Sequence, residues 1–174
     1  LLAIAACLAP LIHADPLAAA VQARISHAGG LGSTQGSANR PMVAYNPNLG
    51  QAMVVWFGFD SQLPGGTARS IIAGRLVDTT TGQPQGPVVR LDTGDPGINS
   101  SDPTVAYNPS TQEYLVVWCS ETIGAHYELR AQRFSASNLQ PRMAQTRQIT
   151  EMGGPGDSNF SALVPKLAFN PDRN

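Results

Sequence analysis

An all-β fold built from a repeated antiparallel meander is what this sequence predicts, on the strength of two observations. The chain aligns on itself at a period of 62: residues 41–56 read PMVAYNPNLGQAMVVW, residues 103–118 read PTVAYNPSTQEYLVVW, and residues 165–174 read PKLAFNPDRN. Nine of the first two segments' sixteen positions are identical, and Pro41, Pro103 and Pro165 recur at the same spacing, so each copy is one structural unit. In addition, 17 Gly and 14 Pro are scattered among short apolar runs and not gathered into one tract, the distribution of many strands joined by turns. At 174 residues the chain is long enough to bury a sizeable core.

The first element is an uncharged apolar run over residues 1–12, too short for a membrane span, which needs about 20 residues. It reads as the apolar region of a secretory leader over residues 1–20, with cleavage after Ala14 or Ala20. A second reading is a lipoprotein leader, since Ile4-Ala5-Ala6-Cys7 resembles a lipobox that would anchor lipid at Cys7. A buried helix of the mature domain is disfavoured because Pro10 and Pro16 interrupt it. Residues 21–40 follow as a strand over 21–27 and a Gly/Ser/Asn loop, in the place residues 88–92 hold before Pro103. That placement predicts a fourth strand which closes a ring of such units.

The unit over residues 41–102 begins with strands at 42–46 and 52–57, rich in Val, Tyr and Trp and separated by an Asn-Pro turn. A third strand is predicted over 70–78 and a fourth over 87–92. The unit over residues 103–164 repeats the plan at 104–108, 114–119, 127–135 and 147–150, and residues 165–174 open a third copy. Its second strand is apolar at nearly every position (Met53, Val54, Val55, Trp56; Leu115, Val116, Val117, Trp118), so both sheet faces are buried. A four-stranded meander covered on both faces by copies of itself is a β-propeller blade. The expectation is an incomplete N-terminal portion of a propeller, about two and a half blades. Such a chain bares one blade face and is expected to aggregate or pair with itself.

The signature P-x-V-A-Y-N-P, then Y-L-V-V-W, then I-x-A-G-R-L resembles repeats of large secreted bacterial proteins that are predicted to be propeller blades. The resemblance covers residues 21–174, concerns structural positions and implies no particular activity. The period is longer than familiar blades of about 40 to 50 residues. No WD dipeptide, Asp-box or integrin-type calcium loop occurs.

Charged residues are 13% of the chain and the net charge is −1, so nothing here suits a phosphate backbone and no nucleic-acid partner is expected. Cys7 and Cys119 are the only cysteines, too few for a disulfide framework, and Cys119 reads as a small buried hydrophobe. His13, His27 and His126 lack metal-ligand spacing, and no phosphate loop, nucleophile elbow or metalloprotease motif is present, so no cofactor, metal or catalytic residue is assigned.

In a propeller the connection between a blade's second and third strands opens on the same face as the one leading to the next blade. Those connections, residues 58–69, 93–102, 119–126 and 151–164, are the long ones, which makes that face the candidate site. It would collect Asp60, Glu121, Asp95, Asp102 and Asp157, with His126 and Arg69 nearby, as a carboxylate-lined rim for sugar hydroxyls or a cation. The structural alternative is that these are solvated turn formers. Trp56 and Trp118 read as core, Tyr45, Tyr107 and Phe169 share one repeat position, and Asn46, Asn108 and Asn170 precede Pro as turn residues. Asn99 and Asn159 match the glycosylation acceptor pattern.

The expected function is a secreted or cell-envelope, non-catalytic binding or scaffold module, with a polysaccharide or another surface protein as partner. The alternatives are a propeller glycoside hydrolase or lyase using carboxylates of the long-loop face, and a purely structural repeat of a large surface protein.

Overall fold

The computed structural model describes residues 23–26, 28–30, 34, 36–66, 68–93, 98–122, 126–152, 157 and 159–172. Among the described residues eight strands run in chain order: β1 (Asn39–Asn46), β2 (Gln51–Gly58), β3 (Ile71–Asp78), β4 (Pro84–Arg90), β5 (Ser100–Asn108), β6 (Glu113–Glu121), β7 (Tyr127–Ser135) and β8 (Arg147–Gln148). They form two four-stranded antiparallel sheets in the orders β1-β2-β3-β4 and β5-β6-β7-β8, so each period is one meander and the chain is all-β as the repeat predicts. Among the described residues no helix is long and apolar enough to cross a membrane. The leader with Cys7 lies outside the described residues.

The turns explain the hairpins. Asn46 Oδ1 accepts the backbone N–H groups of Asn48 and Leu49 at 3.0 and 3.3 Å, and Asn108 Oδ1 those of Ser110 and Thr111 at 2.9 and 3.3 Å. Asn170 Oδ1 takes the N–H of Asp172 at 2.9 Å, so the third copy begins the same Asn-Pro turn.

The register decides the core. Opposite partners share a face, and the pairs Ala44–Met53 and Met53–Leu76 put Ala44, Met53, Val55, Ile72 and Leu76 on one face of the first blade. In the second blade Val105–Val116, Tyr107–Tyr114 and Tyr114–Phe134 align with Trp118 on the facing side. These residues form one buried cluster, with Trp118, Tyr114, Val116, Met53 and Ile72 all at 0% exposure. The first blade therefore stacks its Ala44 face on the second blade's Trp118 face, as successive blades do. Polar bonds cross the seam as well: Gln51 Nε2 donates to Ala136 O at 2.5 Å and Asn48 Nδ2 to Tyr107 Oη at 3.2 Å.

The repeat also locates two unequal outer faces. Val43 and Tyr45, the counterparts of Val105 and Tyr107, are 59% and 56% exposed where the latter are 7% and 8%. Leu167, Ala168 and Phe169 of the third copy lie against the second blade's far face, lining a cleft with Ala106, Leu115 and Arg133.

Several boundaries differ from the sequence reading. Strand β4 starts at Pro84, three residues early, because Gly86 (φ 71) absorbs a register shift that lets pairing resume beyond the expected run. Strand β8 ends at Gln148, yet Ile149 N still donates to Leu129 O at 2.9 Å. Residues 23–26 belong to no strand. There Ile25 O accepts Arg75 Nη1 at 3.2 Å. Val21, Gln22 and His27 lie outside the described residues. Strands β1 and β5 begin before Pro41 and Pro103, through a bulge at Arg40 and Asp102 with φ of 47° and 48°. Val164, at the third copy's equivalent position, has φ 53°.

Candidate functional site

The meander sets the β2–β3, β4–β5 and β6–β7 connections, together with the segment after β8, at one end of both blades. Cross-connections confirm the grouping: Ser100 N donates to Ser70 O at 3.0 Å, Ile98 N to Glu121 O at 2.7 Å, and Ala162 N to Tyr127 O at 2.8 Å.

Most of the charged residues predicted for this end are held internally. Asp60, 3% exposed, accepts Gln62 N at 3.0 Å while its backbone N–H donates to Gly66 O at 2.9 Å, which makes it the anchor of its own loop. Glu121 Oε2 accepts Asn99 Nδ2 at 2.6 Å, and Asn99 Oδ1 accepts Ser70 N at 3.1 Å, so this acceptor-pattern Asn ties two blades together. Asp102 pairs with Arg40 and accepts Ser101 Oγ at 3.1 Å. Asp157 Oδ1 accepts both the backbone and side-chain N–H of Asn159, at 3.0 and 2.8 Å. Arg69 Nη2 lies 3.5 Å from Asp92 Oδ2. Asp95 lies outside the described residues. Asp60 and Asp157 thus bond as turn formers, Glu121 and Asp102 bond between the blades, and Arg69 pairs within the first blade.

The sequence reading missed Asp92 and Glu128. Asp92 is fully buried and accepts Arg90 Nε and Ser100 Oγ, both at 2.7 Å, besides facing Arg69. Glu128, 2% exposed, accepts Thr150 Oγ1 at 2.5 Å and Met152 N at 2.7 Å. Only the apolar flank of each run could have signalled their burial.

His126 stands between Thr122 and Glu128, a hydroxyl, imidazole and carboxylate in one place. The Thr122 hydroxyl is 2.9 Å from both ring nitrogens, and His126 Nε2 is 3.9 Å from Glu128 Oε1. A nucleophile and base need an aligned hydrogen bond and an orienting one behind it, and 3.9 Å is too long for the second. Cys119 is fully buried, and burial pushes its thiol up to about 11, so it is a core residue and no nucleophile. Among the described residues no group of three or more His, Cys, Asp or Glu side chains is placed to hold a metal ion.

Among the side chains that this end exposes are five large apolar ones. Phe59, Ile98, Met152, Phe160 and Leu163 are 42%, 48%, 39%, 52% and 55% exposed, and all sit on the long connections. Trp56 and Trp118, at 3% and 0%, are core.

No family model and no curated protein matches the sequence. Among solved structures, a GH43 endo-arabinanase from Bacillus licheniformis is similar in backbone, with 15% identity and a TM-score of 0.45 over 72% of this chain and 43% of that one. The chain spans less than half of that enzyme.

Proposed function

We propose that the two blades belong to a non-catalytic binding or scaffold module of the exported or cell-envelope class, which contacts a polysaccharide or a surface protein through the long-connection end. The observation that carries the reading is the contrast at this end: Asp60, Glu121, Asp102 and Asp157 are occupied by internal bonds while five large apolar side chains are exposed. Exposed apolar clusters rimmed by polar groups mark contact surfaces, whereas a glycosidase pair needs two carboxylates facing substrate.

The test is a glycan array and an affinity pull-down with the full chain, repeated with Phe59→Ala, Ile98→Ala and Phe160→Ala combined. Selective retention that the triple variant loses supports the reading. Retention untouched by the variant, or none by either protein, removes it.

A further inference from the structure

The seam between the blades is built from two unlike halves. The first blade contributes the face of Ala44, Met53 and Leu76, and the second contributes Val105, Tyr107 and Val116. Strands β1, β2 and β3 all contact β5, so the first strand of the second blade lies across the sheet of the first. Because the blades are copies, each carries both kinds of face, one on either side of its sheet.

One face of each blade is left over by this seam. On the first blade, Val43 pairs with Val54 and Val54 with Arg75, which sets out the counterpart of the Val105 face. Ile25 meets that face at Arg75, while Val43 and Tyr45 on β1 are 59% and 56% exposed. On the second blade, Ala106 pairs with Leu115 and Leu115 with Arg133, in the places of Ala44, Met53 and Leu76. The two leftover faces are therefore the two halves of one more seam.

A strand of the matching kind already rests on the second blade. Leu167 and Phe169 stand one repeat beyond Val105 and Tyr107, and they line a cleft of about 440 Å³ with Ala106, Leu115 and Arg133. They are half-buried while Lys166 and Ala168 are exposed, the alternation of a strand laid on a sheet by one face. Residues 165–170 nevertheless join no ladder, and the cleft stays open beside them. A lone strand covers less of the face than a whole blade does, and the stabilisation grows with the apolar area covered.

We propose that a second copy of this chain docks head to tail, seating the Val43–Tyr45 face of its first blade on the Ala106–Leu115 face and displacing residues 165–170, which serve as a tethered placeholder. The existing seam identifies the occupant, since Val105 and Tyr107, the counterparts of Val43 and Tyr45, are 7% and 8% exposed in the same kind of contact. Charge agrees with it. Arg40 of the second copy takes the place of Val164, and Val164 and Asp102 both lie by Cys119, so the guanidinium arrives near a carboxylate. The contact is heterologous, so copies add in one direction, into a ring or an open chain. It is separate from the long-connection end and does not depend on the binding reading given there.

Sedimentation velocity over a concentration series tests this with three variants of the full chain. Val43→Lys with Tyr45→Lys blocks one half of the seam, and Ala106→Lys with Leu115→Lys blocks the other. Each is expected to stay monomeric alone. Their equimolar mixture keeps one intact seam and is expected to form a two-chain complex and nothing larger, which also shows that both variants are folded. Self-association of the Ala106→Lys, Leu115→Lys variant alone means that Val43 faces pair with each other, and overturns the proposal. A mixture of folded variants that stays monomeric overturns it too. The third variant, Leu167→Asp with Phe169→Asp, leaves both halves intact and loosens the placeholder, so association is expected to tighten about 10-fold or more. Unchanged or weaker association overturns the exchange, and this variant decides alone if circular dichroism shows that lysines at 106 and 115 unfold the chain. A wild-type chain and a placeholder variant that both remain monomeric up to the solubility limit overturn the proposal outright.

Discussion

Replacing Asp92 with Ala removes a fully buried carboxylate on which Arg90, Arg69 and Ser100 converge. Breaking a buried ion pair by deleting one partner costs about 3 to 5 kcal/mol, because the other charge is stranded. Here the arginine side chains keep 14% and 19% of their exposure and can partly turn to water, which places the expected loss at the lower end, about 3 kcal/mol. In a chain of this size that is a fall of roughly 6 to 12 °C in thermal midpoint. Asp92→Asn keeps an acceptor for Ser100 Oγ and gives up only the charge, so about 1 kcal/mol is expected. Urea denaturation followed by tryptophan fluorescence and far-ultraviolet circular dichroism measures both, and Trp118 reports the seam directly. A loss below about 1 kcal/mol for Asp92→Ala would mean that the apolar cluster alone fixes the blades and that the charged cluster is incidental.

Three further outcomes follow from the packing. A Cβ on Gly74 would lie 2.8 Å from Leu91 Cδ1 and 3.2 Å from Val54 O, so Gly74→Ala is expected to cost about 1 to 3 kcal/mol, and less in a Leu91→Val background; equal costs in both backgrounds refute the crowding. Burial holds Cys119 up to about 11 and Tyr114 up to about 12, while the unfolded groups ionise near their ordinary values of about 8.5 and 10. The unfolded chain then binds fewer protons, so stability falls as pH rises from about 8.5 to about 12, and Cys119→Ala should flatten the lower part of that fall in urea midpoints measured between pH 8 and 11. An unchanged slope in the variant counts against it. Val43 and Tyr45 are exposed where Val105 and Tyr107 are buried against a neighbouring blade, so self-association through this face is expected, and Val43→Lys with Tyr45→Lys should reduce it in sedimentation velocity. Identical sedimentation of the two proteins refutes that assignment.

The strands were legible because their residues recur for packing: Val105, Tyr107, Val116 and Trp118 must match the same facing sheet in each copy, and the Asn-Pro turn must reverse the chain at the same place. The fourth strands were less so. Their pairing depends on Gly86 in one blade and on the departure of residues 143–146 in the other, and neither is a hydrophobic pattern. The bonding of the carboxylates at this end was not legible, because sequence shows a carboxylate's presence and not its partner. Asp60 finds a partner two residues on, Glu121 finds Asn99 on the adjoining strand entry, and Asp102 finds Arg40 one full repeat away.

Arg40, Asp102 and Val164 bring repeat and chemistry together. Each precedes the proline that opens a copy, and each has φ near +50°, a left-handed conformation that is costly for side-chain-bearing residues. One such residue would suggest a local functional strain, but three at one repeat position indicate that the bulge is part of how every blade enters its first strand. With the backbone held constant, only the side chain differs between copies. Arg40 and Asp102 meet across the first seam as an ion pair between equivalent positions, while Val164, lying by Cys119, places an apolar group at the next. The seams are thus closed by the same backbone device and distinguished by what the bulged residue carries.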